Sequence, residues 1–379
     1  MIPIAKPVLE ESEGEAAYQA VLSGWVSQGP QVAAFEKQFA AYTGASHACA
    51  VSSCTTALHL ALIAVGVGTD DEVITTSHSF IATANSIRYC GANPIFVDID
   101  PSTYNIDPDR VLEAITPRTR AILVIHQMGM PCDLPALLGV ARRHGIALIE
   151  DAACAAGSEI CINGQWQRIG RPLGDIACFS FHPRKVITTG DGGMLTTANA
   201  EFDNAFRLLR QHGMSVPDTV RHGSPQVVFE DYLAVGYNYR MTDIQAAIGR
   251  KQLERLPQLV SRRRVLAARY EELLGNIEGL LLSLEPEWAR SNWQSYCVRL
   301  PDRVGQKAVM QELLDQGIAT RRGIMCSHRE PCYAEERPRH DLRQSELAQD
   351  HAILLPLYAQ MTEEDQVTVA NALRSALHG

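Results

Sequence analysis

The sequence predicts an α/β protein, a mainly parallel seven-stranded sheet sandwiched by helices with a smaller C-terminal α+β domain, and three observations carry this. From roughly residue 48 to 200, short β-rich runs alternate with stretches of helical apolar spacing, the order that builds parallel strands joined by crossover helices. After about residue 242 the texture changes to long helical segments. The chain has 379 residues, 46% hydrophobic and 20% charged, enough to bury a large core and to divide into two domains. We therefore expect a large domain over 1–245 and, over 246–379, connector helices leading into a small domain.

The candidate strands are short apolar or β-branched runs bounded by polar or turn-forming residues: His47–Ser52, Glu72–Thr75, Pro94–Asp98, Ala121–Ile125, Ala147–Glu150, Ile176–Phe181 and Gly193–Thr197. Between them, Thr55–Val65 and Pro135–His144 repeat apolar residues at helical spacing. Two helices, Thr242–Arg255 and Leu259–Leu274, form the connector. A strand at Gln294–Leu300 and a helix at Lys307–Gln316 begin the small domain, and the polar, proline-containing Arg329–Gln344 reads as a loop.

Charge and composition exclude several classes. The net charge of -9, with no long Lys/Arg run, argues against a nucleic-acid partner, and Arg262-Arg263-Arg264 reads as a solvated helix face. Met1–Glu10 lacks a basic segment followed by an apolar core, and no apolar run approaches the roughly 20 residues that span a bilayer. A soluble, cytoplasmic protein with no membrane partner is expected. The ten cysteines show no CxxC pair, so we expect no metal site and read most of them as small buried hydrophobes in a reducing compartment.

Three segments carry chemistry. Ser180-Phe181-His182-Pro183-Arg184-Lys185 places a lysine just past a strand end, ahead of the glycine-rich Thr188–Gly193. Imine chemistry needs an amine with a reachable neutral form and a fixed position, and the mouth of a sheet provides both. Ile146–Ile149 runs into Glu150-Asp151, a carboxylate at the strand edge where open α/β sheets bind ligands. Such an aspartate can pair with a pyridinium nitrogen and keep it protonated; taken alone, Asp151 reads better as a helix cap. Val51–Leu58 ends a strand in small polar residues that open a helix, whose free N–H groups and dipole suit a phosphate, although an ordinary Ser/Thr cap has the same look. No Walker loop and no GxGxxG is present, so no nucleoside triphosphate or dinucleotide is indicated.

With these segments the chain resembles the DegT/DnrJ/EryC1/StrS sugar aminotransferases, which have the aspartate aminotransferase fold, fold type I. The resemblance runs over nearly the whole chain. It includes Ser23-Gly24-Trp25 with Gly29-Pro30, Phe80–Asn85, Phe96–Asp100, Asn105–Pro108, His126 with Gly129 and Pro131, and Gly236–Asp243. It implies pyridoxal 5'-phosphate as cofactor, held by Lys185 as a Schiff base, with pyridoxamine phosphate left after the donor half-reaction. Lys185 would also shuttle the proton. Asp151 would pair with the ring nitrogen and Phe80 would stack on the ring. Ser180 and the segment Ser53, Cys54 and Thr55 would hold the phosphate, and Asn238 would reach it from a neighbouring subunit, which implies a homodimer with shared sites.

The chain departs from the family at Cys154, where Gln or His usually follows the aspartate by three residues, and at Cys54, where a glycine usually opens the phosphate turn. Neither change removes an essential reacting group. Trp25, His182, Arg321, Arg322 and His328 are candidate substrate contacts, the arginines because guanidinium forks suit a diphosphate or a carboxylate.

The reaction implied is transfer of an amino group, from glutamate, to the keto group of a nucleotide-linked deoxy sugar, giving an amino sugar for polysaccharide or natural-product biosynthesis. The alternatives are amination of another cyclic ketone, an aminocyclitol precursor or free keto sugar, and a non-catalytic regulatory relative. The dehydratase branch of the fold carries histidine in place of the lysine, so Lys185 argues against it.

Overall fold

A computed structural model describes residues 1–216, 225–334 and 338–378. All seven strand segments expected from the sequence join one sheet. They are β1 (His47–Val51), β2 (Glu72–Thr76), β3 (Asn93–Val97), β4 (Thr119–Ile125) and β5 (Ala147–Asp151), then, after a hairpin of β6 (Glu159–Ile162) and β7 (Gln165–Arg168), β8 (Ile176–Ser180) and β9 (Gly193–Thr197). Their spatial order is β1-β9-β8-β5-β4-β2-β3. The pairs from β8 through β5, β4 and β2 to β3 are parallel, and β9 runs antiparallel to both β8 and β1.

Because both faces are covered, β2, β8 and β9 are buried along their whole length. On one face the helices Cys54–Ala64 and Ala200–Leu209 pack Leu58, Leu60, Leu62 and Phe206 against Cys49, Val51, Ile149 and Leu195. On the other, Phe35 and Phe39 of the helix Pro30–Thr43 meet Phe181 and Phe179 with ring centroids 5.3 and 5.0 Å apart.

The connector is one 32-residue helix, Asp243–Leu274, with Pro257 inside it, rather than the two helices expected. An interior proline costs a helix about 3 kcal/mol. Here Leu253, Leu256, Leu259 and Val260 bury their side chains around it against the large sheet, which offsets that cost. Further along, Leu266, Tyr270 and Leu274 enter a second core with Tyr296, Val298, Ile353 and Leu355. That core belongs to a four-stranded sheet of Leu281–Leu282, Tyr296–Arg299, Ala352–Leu355 and Arg321–Arg322. One helix thus serves two cores.

Asp243, the first residue of that helix, is fully buried and accepts the N–H groups of Gly29, Gln31 and Val32 at 2.8, 3.0 and 2.9 Å. A Cβ on Gly29 would lie 2.7 Å from Asp243 Oδ2, so only glycine lets the start of the Pro30–Thr43 helix reach its cap. The Gly29-Pro30 and Thr242-Asp243 motifs are two halves of one clamp.

The arginine triplet corrects the sequence reading. Arg263 is 4% exposed, and its Nη1 donates to the carbonyls of Trp293, Gln294 and Leu357 at 2.9, 3.3 and 3.2 Å. Arg262 donates to the Ala359 and Met361 carbonyls, and Arg264 to the Ser291 carbonyl and to Glu159. Irregular segments packed on the helix leave buried carbonyls that need donors, and the triplet supplies them.

The polar stretch read as a loop is one over the described residues 338–342, but short 3-10 turns cover Ser327–Arg329 and Pro331–Tyr333, and a helix, Arg343–His351, already includes its end. Residues 335–337 lie outside the described part. All ten cysteines are free and six are buried, as small apolar residues would be. Among the described residues no helix is long and apolar enough to cross a membrane.

Candidate active site

Strand register brings the chemistry-bearing residues into one row. Asp151 ends β5 and pairs with Cys178 of β8; two residues on, Ser180 pairs with Gly193 of β9, which in turn pairs with Val51 of β1. The row lies at the carboxyl edge of β5, β8 and β1, where sheets of this type receive ligands.

The helix Cys54–Ala64 starts directly beyond β1. Ser53 caps it: its Oγ accepts the Thr56 N–H at 3.2 Å and its own N–H donates to Thr56 Oγ1 at 3.1 Å, a reciprocal box. The Ser53 hydroxyl is therefore engaged in the cap, and the first-turn amides of Cys54 and Thr55 are the groups left for an anion. Cys54 turns inward, its Sγ donating to the Cys178 carbonyl at 3.6 Å, and burial pushes its thiol well above the usual range. Gly193 permits this close seat. A Cβ there would stand 2.4 Å from the Ser53 carbonyl and 2.7 Å from the Cys54 nitrogen.

Asp151 does not cap a helix. It is 5% exposed, and it accepts Thr83 Oγ1 at 2.8 Å and the Ala153 N–H at 3.1 Å. Burial pushes its carboxyl above the usual range, while the Thr83 hydroxyl, the Ala153 amide and the Lys185 charge pull it down. Thr83 is itself placed by Ser79, with the two hydroxyls 2.9 Å apart. Behind the aspartate, His126 Nδ1 accepts the Cys132 N–H at 3.0 Å, which puts the ring proton on Nε2, facing Glu150 Oε2 at 2.9 Å.

Lys185 follows β8 on a turn closed by its own N–H to the His182 carbonyl at 2.8 Å. The loop behind it is pinned by Thr188 Oγ1 to the Phe181 carbonyl at 2.8 Å and by the Thr189 N–H to the same carbonyl at 3.0 Å. Its Nζ donates to Cys154 Sγ at 3.0 Å. Burial disfavours the ammonium, but the sulfurs of Cys154 and Cys54 and the Asp151 carboxylate outweigh it and hold the proton more tightly than usual.

Of the remaining predicted residues, Phe80 is 63% exposed rather than a core aromatic. Asn238 is exposed beside Gln211 in an extended stretch whose Tyr239 carbonyl accepts the Ser52 N–H at 2.8 Å, next to the helix start. His182 is exposed, and its Nδ1 accepts the Arg184 N–H at 3.2 Å. Trp25 is half-buried against Gly29. Arg321 and Arg322 lie exposed on an edge strand of the small sheet, Arg322 paired with Glu330 at 3.3 Å. His328 is engaged at both ring nitrogens, by Ser77 Oγ at 2.6 Å and Glu346 Oε1 at 3.1 Å, and braces the end of β2 against the helix Arg343–His351.

Sequence reasoning assigned no role to Thr83, Asn292 or Gln294. Thr83 stood inside a quoted motif without one. Asn292 donates to the Cys154 and Ala156 carbonyls at 2.8 and 2.9 Å, and Gln294 donates to the Arg184 carbonyl. Only the fold brings residues so distant in sequence together.

An anion seat at one end of the row, a buried carboxylate at the other and a fixed amine near both fit a phosphorylated pyridine aldehyde. The Gly193 cradle, which any Cβ would fill, is specific to that seat. Fold and site define a pyridoxal-phosphate-dependent aminotransferase. The chain belongs to the DegT/DnrJ/EryC1/StrS aminotransferase family, which it matches over residues 7–374. It is 37% identical to the spore coat polysaccharide biosynthesis protein SpsC of Bacillus subtilis (strain 168), covering 100% of this chain and 97% of that one. It superposes with a TM-score of 0.93 on the putative sugar aminotransferase Spr1654 of Streptococcus pneumoniae, solved in PLP and PMP forms, at 26% identity over 100% and 99% of the two chains. DesI, solved in the presence of its TDP-sugar product, gives a TM-score of 0.87 at 32% identity, covering 100% of this chain and 93% of that one.

Proposed function

We propose that this sugar aminotransferase moves the amino group of glutamate onto the keto carbon of a nucleotide-linked deoxy sugar, with Lys185 and Asp151 as its catalytic residues. The observation that carries the reading is the row itself, in which the buried Asp151, Ser180, the amides after Ser53 and the amine of Lys185 converge on one sheet edge. The TDP-sugar product of DesI supports the nucleotide sugar as substrate class. The polysaccharide role in the name of SpsC supports an amino-sugar product.

Pyridoxal phosphate, when bound, supplies an aromatic ring that takes up the electron pair released when a proton leaves the substrate carbon. The chain's residues do the rest. Asp151, held by Thr83, would pair with the ring nitrogen and favour its protonated form. Lys185 would hold the cofactor through its amine and, when that amine is free, would accept and return the proton at the substrate carbon. The amides of Cys54 and Thr55, with Ser180, would hold the phosphate, and the exposed Phe80 would cover the ring. Cytoplasmic sugar-nucleotide metabolism is the setting this reading implies.

A homodimer completes the site. Val227, Phe229, Tyr232, Leu233 and Val235 are 64–90% exposed in the stretch leading to Asn238. An apolar run so bare beside a site is the mark of a surface covered by a partner. A second copy covering it brings Asn238 to its neighbour's phosphate.

The test is to load purified protein with pyridoxal phosphate, record the band of the lysine-linked cofactor, and add glutamate. Conversion of that band, its absence in Lys185→Ala, and regeneration by a keto-sugar nucleotide rather than a free cyclic ketone are the expected outcomes. A band that glutamate leaves unmoved overturns the donor, and regeneration by the free ketone alone overturns the acceptor.

A further inference from the structure

The contact between Lys185 and Cys154 is held from both sides by a single loop. Asn292 Nδ2 donates to the Cys154 and Ala156 carbonyls at 2.8 and 2.9 Å, fixing the backbone that carries the sulfur. Two residues on, Gln294 Nε2 donates to the Arg184 carbonyl at 2.5 Å, fixing the backbone that carries the amine. The loop is pinned in turn: Asn292 Oδ1 accepts the Gln294 N–H at 2.9 Å, the Asn292 N–H donates to Ser158 Oγ at 3.0 Å, and Ser158 Oγ donates to the Gly129 carbonyl at 2.6 Å. A Cβ on Gly129, at φ +97, would lie 2.0 Å from Asn292 Oδ1, so the glycine is required for the loop to sit there. Asn292 is fully buried and Gln294 is 8% exposed. A 3.0 Å contact braced this way is built rather than fortuitous.

We propose that Cys154 is a further catalytic residue: its sulfur is the hydrogen-bond acceptor that holds Lys185 Nζ whenever that amine is free, and it sets the pH at which the amine becomes a nucleophile. The inference rests on the reading of Lys185 as the lysine that binds the cofactor. An amine must lose a proton before it can attack a carbonyl carbon, and an acceptor at 3.0 Å stabilises the protonated form over the neutral one. Cys154 thus restrains Lys185 between turnovers and aims it along one direction. A glutamine or histidine at this position offers a neutral acceptor or a donor; the sulfur offers a polarizable acceptor with no competing amide. Asn292 acts on the pair only through the backbone, as a positioning residue.

The test uses cofactor-free protein and needs no turnover. The rate at which the apoprotein captures pyridoxal phosphate is followed against pH in wild type, Cys154→Ser and Cys154→Ala. A hydrogen bond to a charged group contributes about as much as one pKa unit, so the midpoint should fall by about one pH unit in Cys154→Ala and by less in Cys154→Ser. Should Cys154→Ala fail to fold, Cys154→Val, which keeps close to the volume of the thiol and removes the acceptor, decides by the same measurement. A midpoint equal to wild type in whichever of the two variants folds overturns the inference and leaves the aminotransferase reading intact. A lysine-linked band that survives in Lys185→Met overturns the underlying reading instead.

Discussion

Thr83 Oγ1 donates a 2.8 Å hydrogen bond to Asp151 Oδ2, so the carboxylate proposed to pair with the ring nitrogen is oriented by a hydroxyl. Without it, a 5% exposed carboxylate keeps, among the described residues, only the Ala153 amide as a hydrogen-bond donor. A hydrogen bond to a charged group stabilises by about 1.5–3 kcal/mol, which sets the expected loss in Thr83→Val at about 10-fold or more in kcat/KM. Thr83→Ser, which keeps the donor, should stay near wild type. Steady-state kinetics of the three proteins check this, and equal rates for valine and serine would show that Thr83 serves packing alone.

Gly193 gives a steric prediction. Its absent side chain leaves room for the Ser53 carbonyl and the Cys54 amide, both of which a Cβ would meet at 2.7 Å or less. Gly193→Ala must push the helix start away from β9 and with it the proposed phosphate seat. Cofactor affinity, measured by equilibrium dialysis, should fall on the order of 10-fold, as loss of one charge-assisted hydrogen bond requires. Unchanged affinity would place the phosphate elsewhere.

Two buried carboxylates carry opposite pH signatures in the cofactor-free protein. Glu36 is 6% exposed, and although burial opposes its charge, Arg210 and Arg207 hold its carboxyl below the usual range. A carboxylate with a lowered folded-state pKa adds stability above its unfolded value and loses it as the pH falls through the folded one. Glu36→Gln leaves Arg210 buried without its anion, so it should cost about 3 kcal/mol at neutral pH and less in acid. Asp151 is raised by burial, so the unfolded chain releases its proton first and stability falls as the pH rises above the ordinary carboxylate range. Asp151→Asn should therefore stabilise the apoprotein at neutral pH while abolishing transamination. Urea denaturation of both variants at acidic and neutral pH decides each sign.

If Asn238 serves the neighbouring subunit, two inactive proteins should rescue each other. In a mixed dimer of Lys185→Ala with Asn238→Asp, one site inherits both defects and the other inherits neither. Random reassociation then restores about a quarter of wild-type activity. No recovery from verified mixed dimers would assign Asn238 to its own chain's site.

The sheet was legible in the sequence because strand identity depends on local pattern: all seven runs were found, and register sets Val51, Asp151 and Ser180, at the ends of β1, β5 and β8, on one edge. The position of Lys185, past a strand end and before a glycine-rich turn, was legible locally, whereas its proposed role came from the family resemblance. What could not be read was whatever depends on packing between distant segments. Thr83, Asn292 and Gln294 are ordinary polar residues until the fold lays them on Asp151, Cys154 and Arg184. Asp243 looks like any residue in the first turn of a helix until Gly29 is brought within reach of it. The arginine triplet misled for the same reason, since local charge density suggests solvent and says nothing about carbonyls arriving from residues 291–294 and 357–361.

Arg263 sets two large effects against each other. It is a buried cation donating to three carbonyls, and burial lowers its guanidinium to about 10. Replacing it by methionine removes the cost of burying that charge, which in other proteins is often neutral or favourable. The same change strips the donor from the Trp293, Gln294 and Leu357 carbonyls, and an unmet buried polar group costs about 1–3 kcal/mol. With three such groups on segments that have no ladder partner, the second effect should win, and Arg263→Met should lose about 3 kcal/mol in chemical denaturation. Because the loop carrying Trp293 and Gln294 also holds Asn292, the variant should show its effect at the active site too, as slower capture of pyridoxal phosphate under conditions where it remains folded. A methionine variant as stable as wild type would mean that water or a shifted backbone satisfies those carbonyls, and that the charge at this position is dispensable.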